Sequence, residues 1–121
     1  MSELERVAFG WPDAAPVSFG LSLAARPVEK IVLLGANGGC KTTRLRLLDA
    51  LLFPTAGTHR YDGEAVTAQR ARRTDWSRRF RREVGLLFQH PEAMLFNPMV
   101  RDEIGYGPRW LGLPDAELRI A

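Results

Sequence analysis

The chain has a single cysteine, Cys40, among its 121 residues, so it can form no internal disulfide and offers no cysteine cluster to hold zinc. Long apolar runs are missing as well. Nothing approaches the roughly 20 residues of a membrane span, and the acidic start Met1-Ser2-Glu3-Leu4-Glu5 lacks the basic and apolar regions of a secretory signal. Both absences point to the cytoplasm. There is no internal repeat and no low-complexity linker, and a hydrophobic content of 45% excludes a disordered segment and predicts one globular domain. Lysine is scarce: Lys30 and Lys41 are the only two among 17 basic residues, the rest being arginine.

Those arginines are unevenly placed. The formal charge is +3, yet seven arginines fall between Arg70 and Arg82. Such a cluster suits nucleic acid or an anionic membrane surface, a solvated helix face, or a surface that meets an acidic partner. Trp76 and Phe80, four apart, would pack on one side of that helix and leave much of the arginine in water. A nucleic-acid-binding protein is therefore the weaker alternative, and no nucleic acid is expected as a partner.

What stands out among the residues present is Gly35-Ala36-Asn37-Gly38-Gly39-Cys40-Lys41-Thr42-Thr43. It nearly matches the phosphate-loop pattern G-x-x-x-x-G-K-S/T, with Cys40 in place of the second fixed glycine. In such a loop successive main-chain N–H groups form a nest around the phosphates of a nucleotide. Gly35, Gly38 and Gly39 supply the flexibility, and Asn37 and Cys40 complete the backbone. Lys41 then places a point charge on the β- and γ-phosphates, the Thr42 hydroxyl is positioned to ligate Mg²⁺, and Thr43 adds a donor near the α-phosphate. A Cβ at Cys40 costs about 1–3 kcal/mol where the backbone is held in a sparsely populated region, which weakens affinity roughly ten- to a hundredfold. Two readings of this thiol stay open: activated by the helix N-terminus and Lys41, or a tolerated substitution.

Both flanks suit the loop. Lys30-Ile31-Val32-Leu33-Leu34 predicts a buried parallel strand, and residues 42–52 predict a helix with Leu45, Leu48, Leu51 and Leu52 at helical spacing, ended by Pro54. Upstream, residues 4–11 and 17–23 predict two strands about a turn at 12–16. Downstream, Asp62-Gly63 predicts a hairpin between residues 58–61 and 64–67. An arginine-rich helix over 70–82, a second buried strand over 84–88, a helix over 100–110 and another over 113–121 complete the prediction.

In this order the pieces resemble the N-terminal half of an ATP-binding-cassette (ABC) transporter ATPase domain. Besides the phosphate loop, three passages carry the resemblance. Residues 7–13 resemble the stretch that sets an aromatic ring on adenine, with Trp11 at the ring position. Leu51-Leu52-Phe53-Pro54-Thr55-Ala56-Gly57 with Tyr61-Asp62-Gly63-Glu64 is similar to the family's "LL-x-PT-x-G…DG" passage. Gly85-Leu86-Leu87-Phe88-Gln89 resembles the strand entering the Q-loop, whose glutamine reaches Mg²⁺ and the attacking water. The stretch from 88 to 113 is similar to ATPases of energy-coupling-factor and cobalt/nickel importers, with His90 and Met94 departing from the asparagine and glutamine usual there.

The resemblance implies an α/β P-loop NTPase fold: the N-terminal part of an ABC ATPase core with an antiparallel β arm, incomplete at the C-terminus. Residues 1–121 would form a partial nucleotide-binding domain, with a phosphate loop at 35–43 and a Q-loop region at 85–98. It implies ATP and Mg²⁺ as cofactors, with Trp11, Gly35, Asn37, Gly38, Gly39, Cys40, Lys41, Thr42 and Thr43 binding nucleotide, Thr42 and Gln89 on Mg²⁺, and Gln89 as the catalytic residue. The implied partners are a transmembrane subunit and a second ATPase domain, at the inner face of the cell membrane. The sequence has no LSGGQ signature, Walker B strand or switch histidine, so ATP turnover by the chain alone is not expected, and neither Asp102 nor Glu103, placed in the helix after the Q-loop, replaces the carboxylate. A nucleotide-binding or interaction module without turnover is the alternative. Uncovered apolar surface predicts marginal stability or aggregation.

Overall fold

The computed structural model describes residues 1–14, 18–36 and 41–114, and the chain divides into two compact units, Met1–Ser77 and Arg78–Ala121. The first unit is built on a four-stranded antiparallel sheet in the order β2-β1-β3-β4, from β1 (Ser2–Phe9), β2 (Ser18–Ala25), β3 (Ala56–Tyr61) and β4 (Glu64–Ala65). The predicted strands at 4–11, 17–23 and 58–67 correspond to these within a few residues, and the turn residues 15–17 lie outside the described residues.

In β1 the buried residues are Leu4, Val7 and Phe9. Leu4 and Val7 are three apart, a spacing that puts side chains on opposite faces of a regular strand. A bulge between them resets the pleat: the pairing with β2 shifts between Leu4 and Val7, and Arg6 has φ 46°. The bulge also explains the glycine of the "LL-x-PT-x-G" passage. Gly57 has φ +81°, and a Cβ there would sit 2.3 Å from the Arg6 carbonyl oxygen, so no other residue fits without displacing backbone.

The core gathers Leu4, Val7, Phe9 and Leu47, with Leu21, Leu23, Leu48 and Leu52 packed against it. Leu47 comes from α1 (Lys41–Leu48). The helix is shorter than the predicted 42–52, and Pro54 does not end it. Ala50, at φ 55°, closes it in a left-handed C-terminal cap: Leu51 N–H donates to the Arg46 carbonyl at 2.9 Å and Ala50 N–H to that of Leu47 at 3.2 Å, the paired bonds of a Schellman motif. The Asp62-Gly63 turn has φ 49° and 81°, as a two-residue hairpin of this kind requires.

The arginine-rich segment is two helices, α2 (Ala68–Ala71) and α3 (Thr74–Glu83). Thr67 caps α2, its hydroxyl accepting from Arg70 N–H. Trp76 and Phe80 are buried as their spacing predicts, and Trp76 Nε1 donates to Glu64 Oε2 at 2.9 Å, tying the start of α3 to the hairpin. In the second unit a 3₁₀ turn, Pro91–Met94, precedes α4 (Val100–Trp110). The helix predicted over 113–121 falls mostly outside the described residues.

Two predicted strands do not form. Residues 30–34 and 84–88 are irregular, with Val32 76%, Leu34 87% and Leu87 80% exposed. An apolar run becomes a parallel strand only between hydrogen-bonded neighbours and under helices on both faces; no described residue pairs with either run. No described helix is long and apolar enough to cross a membrane.

Candidate functional site

Lys41 opens α1, and its side chain folds back to the carbonyls of Gly35 and Ala36. Lys41 Nζ donates to the Gly35 carbonyl at 2.5 Å and to that of Ala36 at 2.7 Å. The sequence thus brings the first glycine of the motif against the lysine six positions on. Asn37, Gly38, Gly39 and Cys40 lie outside the described residues.

The free N–H groups of a helix's first turn and its dipole both favour an anion at this end. No acidic residue stands in the first turn of α1 to neutralise it. Two of the three donors on the Lys41 ammonium are held by carbonyls, which aims the charge, and the third has no partner among the described residues. Thr42 is exposed and Thr43 half-buried. This donor set fits a polyanion such as a nucleotide's phosphates. No group of three or more His, Cys, Asp or Glu able to hold a metal occurs among the described residues, so Mg²⁺ would be held by the Thr42 hydroxyl, phosphate oxygens and water, in keeping with its preference for few protein ligands.

Trp11 follows β1 in the same unit and is 49% exposed. Its ring meets buried Phe9 edge to face, with centroids 5.1 Å apart and planes at 82°, so the core sets the orientation of a ring that is still half in water. Arg44, which helical spacing assigns to the water side of α1, is half-buried, and its Nε has no hydrogen-bond partner among the described residues. No sequence signal distinguishes it from Arg46.

Gln89 belongs to the second unit, exposed at a bend. His90 follows at φ 54°, its ring exposed and Nδ1 3.5 Å from Glu92 Oε1, a loop side chain as its position predicts. Further on, Glu103 Oε2 accepts from Asn97 N–H at 2.9 Å, Asn97 Nδ2 at 2.8 Å and Phe96 N–H at 3.3 Å. The Asn97 backbone N–H, then its side chain, hold this carboxyl below the usual range. Asp102 lies 3.4 Å from Arg109. Both acids of α4 are thus engaged in fastening the loop and the helix.

Sequence reading missed one surface in this unit. Leu95, Phe96, Met99, Val100 and Ile104 are each more than 60% exposed, and Phe96 stacks edge to face on Tyr106 at 4.8 Å. The clustering of large apolar residues between 94 and 104 is the signal that was available.

A family model described as ABC transporter matches residues 19–117. The chain is 35% identical over 118 residues to the energy-coupling factor transporter ATP-binding protein EcfA of Methanothermobacter thermautotrophicus, covering 98% of the chain and 37% of that relative. It is 41% identical over 117 residues to the nickel import ATP-binding protein NikO of Rhodobacter capsulatus, covering 97% of the chain and 46% of NikO. The chain therefore spans less than half the length of these curated relatives. Among solved structures, CbiO1 from Clostridium perfringens, part of the transporter complex CbiONQ, superposes with a TM-score of 0.79 at 23% identity, over 98% of the chain and 45% of CbiO1. A dimeric ATP-binding cassette, MJ0796, bound to ADP and Pi, gives a TM-score of 0.74 at 17% identity, over 98% of the chain and 53% of that structure.

Proposed function

The chain belongs to the ABC transporter family, with the α/β P-loop NTPase fold of the N-terminal part of its ATPase domain, and from that premise we propose that it binds Mg-ATP for an importer of a metal ion or a vitamin. The observation that carries this reading is the Lys41 ammonium fixed by two carbonyls at the acid-free N-terminus of α1. Lys41 neutralises the β- and γ-phosphates, the Thr42 hydroxyl holds Mg²⁺, Thr43 donates near the α-phosphate, and the loop backbone from Gly35 through Asn37, Gly38, Gly39 and Cys40 wraps the chain of phosphates. Trp11 stacks on adenine, worth about 1 kcal/mol. Gln89, in the second unit, is the residue that the family resemblance assigns to the attacking water. Bound Mg²⁺ draws charge from the phosphate oxygens.

A relative named for nickel import supports a metal ion as the cargo, and one named as the ATP-binding protein of an energy-coupling factor transporter supports the transport role. The exposed apolar surface around Phe96, Met99 and Val100, close in sequence to Gln89, supports docking on a transmembrane subunit at the inner face of the membrane. A second ATPase domain would close over the nucleotide. Calorimetric titration with Mg-ATP tests the proposal. We expect binding that Lys41→Ala abolishes; binding unchanged by Lys41→Ala would place the nucleotide elsewhere.

A further inference from the structure

We infer that the outer face of α3 is a contact for the anionic headgroups of a membrane. With Trp76 and Phe80 buried on one side, helical spacing turns Arg78 and Arg82, four apart, to the other, with Arg79 three from Arg82. All three are exposed. Arg78 and Arg82 make no ion pair or hydrogen bond among the described residues, so their charge is available to a partner. Asp75, the acid in the first turn, is already met by Arg73 at 3.3 Å.

Charge complementarity requires an acidic partner, and the surroundings select among such partners. The aromatic rings of α3 are turned into the protein, which removes the stacking platform that single-stranded nucleic acid uses. Three arginines within one helical turn reach few phosphates of a rigid duplex, whereas lipid headgroups diffuse laterally and gather under a small basic patch. Arg78, Arg79 and Arg82 also belong to the same unit as the apolar surface around Phe96 and Met99. The inference rests on the proposal that this surface docks on a transmembrane subunit, because docking is what brings the unit to the inner leaflet.

Sedimentation with vesicles tests it. The chain is expected to bind vesicles of phosphatidylcholine with phosphatidylglycerol, to release with added salt, and to ignore phosphatidylcholine alone. Each of the two unpaired arginines contributes roughly a fivefold gain in partitioning, so Arg78→Gln and Arg82→Gln together lower it about thirtyfold. The corresponding two lysine substitutions keep the charge and keep binding within a few-fold. Equal binding to neutral vesicles, binding unaffected by the glutamine substitutions, or tighter binding to duplex DNA than to the vesicles at equal salt would overturn the inference. The vesicles contain no protein, so a failure here leaves docking on the transmembrane subunit untouched; docking is read separately, by co-purification of that subunit with a Phe96→Ser variant as control.

Discussion

Lowering the pH from neutrality should weaken the sheet of the first unit through one side chain, His59. It lies on β3 directly across from Leu4, so the pleat turns both to one face, and it is 2% exposed. Neither ring nitrogen has a hydrogen-bond partner among the described residues. Burial therefore disfavours the charged imidazolium and pushes the pKa from 6.5 down to about 4. The unfolded chain takes up a proton near 6.5 and the folded chain only near 4, so this stability is fully present above 6.5 and is lost as the pH falls through that interval. At roughly 1.4 kcal/mol for each pH unit, the loss is about 3 kcal/mol, a large part of the stability of a small domain. Urea denaturation followed by far-UV circular dichroism at a series of pH values measures it. His59→Leu removes both unpaired nitrogens and the proton site, and its urea midpoint should stay nearly flat over the interval. Asp75, held down chiefly by the Trp76 backbone N–H, and Glu103, held down chiefly by that of Asn97, have pKa values below 3.8 and 4.5. Their contributions are lost only as the pH falls below those values, leaving the upper part of the interval to His59. An equal fall in the wild-type and His59→Leu midpoints between pH 6.5 and 5 would refute the reasoning.

Gly57→Ala should destabilise the first unit by about 2 kcal/mol or more in the same urea assay, because it combines a positive φ with a collision against the Arg6 backbone. Glu103→Gln should release the loop before α4, read as faster hydrogen exchange at the Phe96 and Asn97 amides, with helix content unchanged. Cys40→Gly should tighten Mg-ATP roughly ten- to a hundredfold by calorimetry; unchanged affinity would mean that the loop backbone at this position lies where any residue fits.

Some of this molecule is legible along the chain because its causes are local. Asp62 and Gly63 both tolerate positive φ, so the hairpin needs no distant partner to be recognised. Trp76 and Phe80 announce the buried side of α3 by spacing alone, and Lys41 after a glycine-rich run announces a helix start. The edge-to-face contact with Phe9 that orients the Trp11 ring was not legible. Other features depend on residues remote in sequence. Ala50 ends α1 in a conformation that alanine disfavours, and nothing in its neighbours signals this. The polar character of His59 suggests an exposed position, yet pairing with Leu4 buries it.

The family and the Asp62-Gly63 turn followed from the order of residues, since motif chemistry and backbone preference act over a few positions. Tertiary packing settled the rest. Leu4 and Val7 reach one core only because a bulge at Arg6 meets a glycine more than fifty positions away. Residues 30–34 and 84–88 have the composition of buried strands but not the pairing. A strand is stabilised by hydrogen bonds to a neighbour, and no amount of apolar sequence within the strand can supply them.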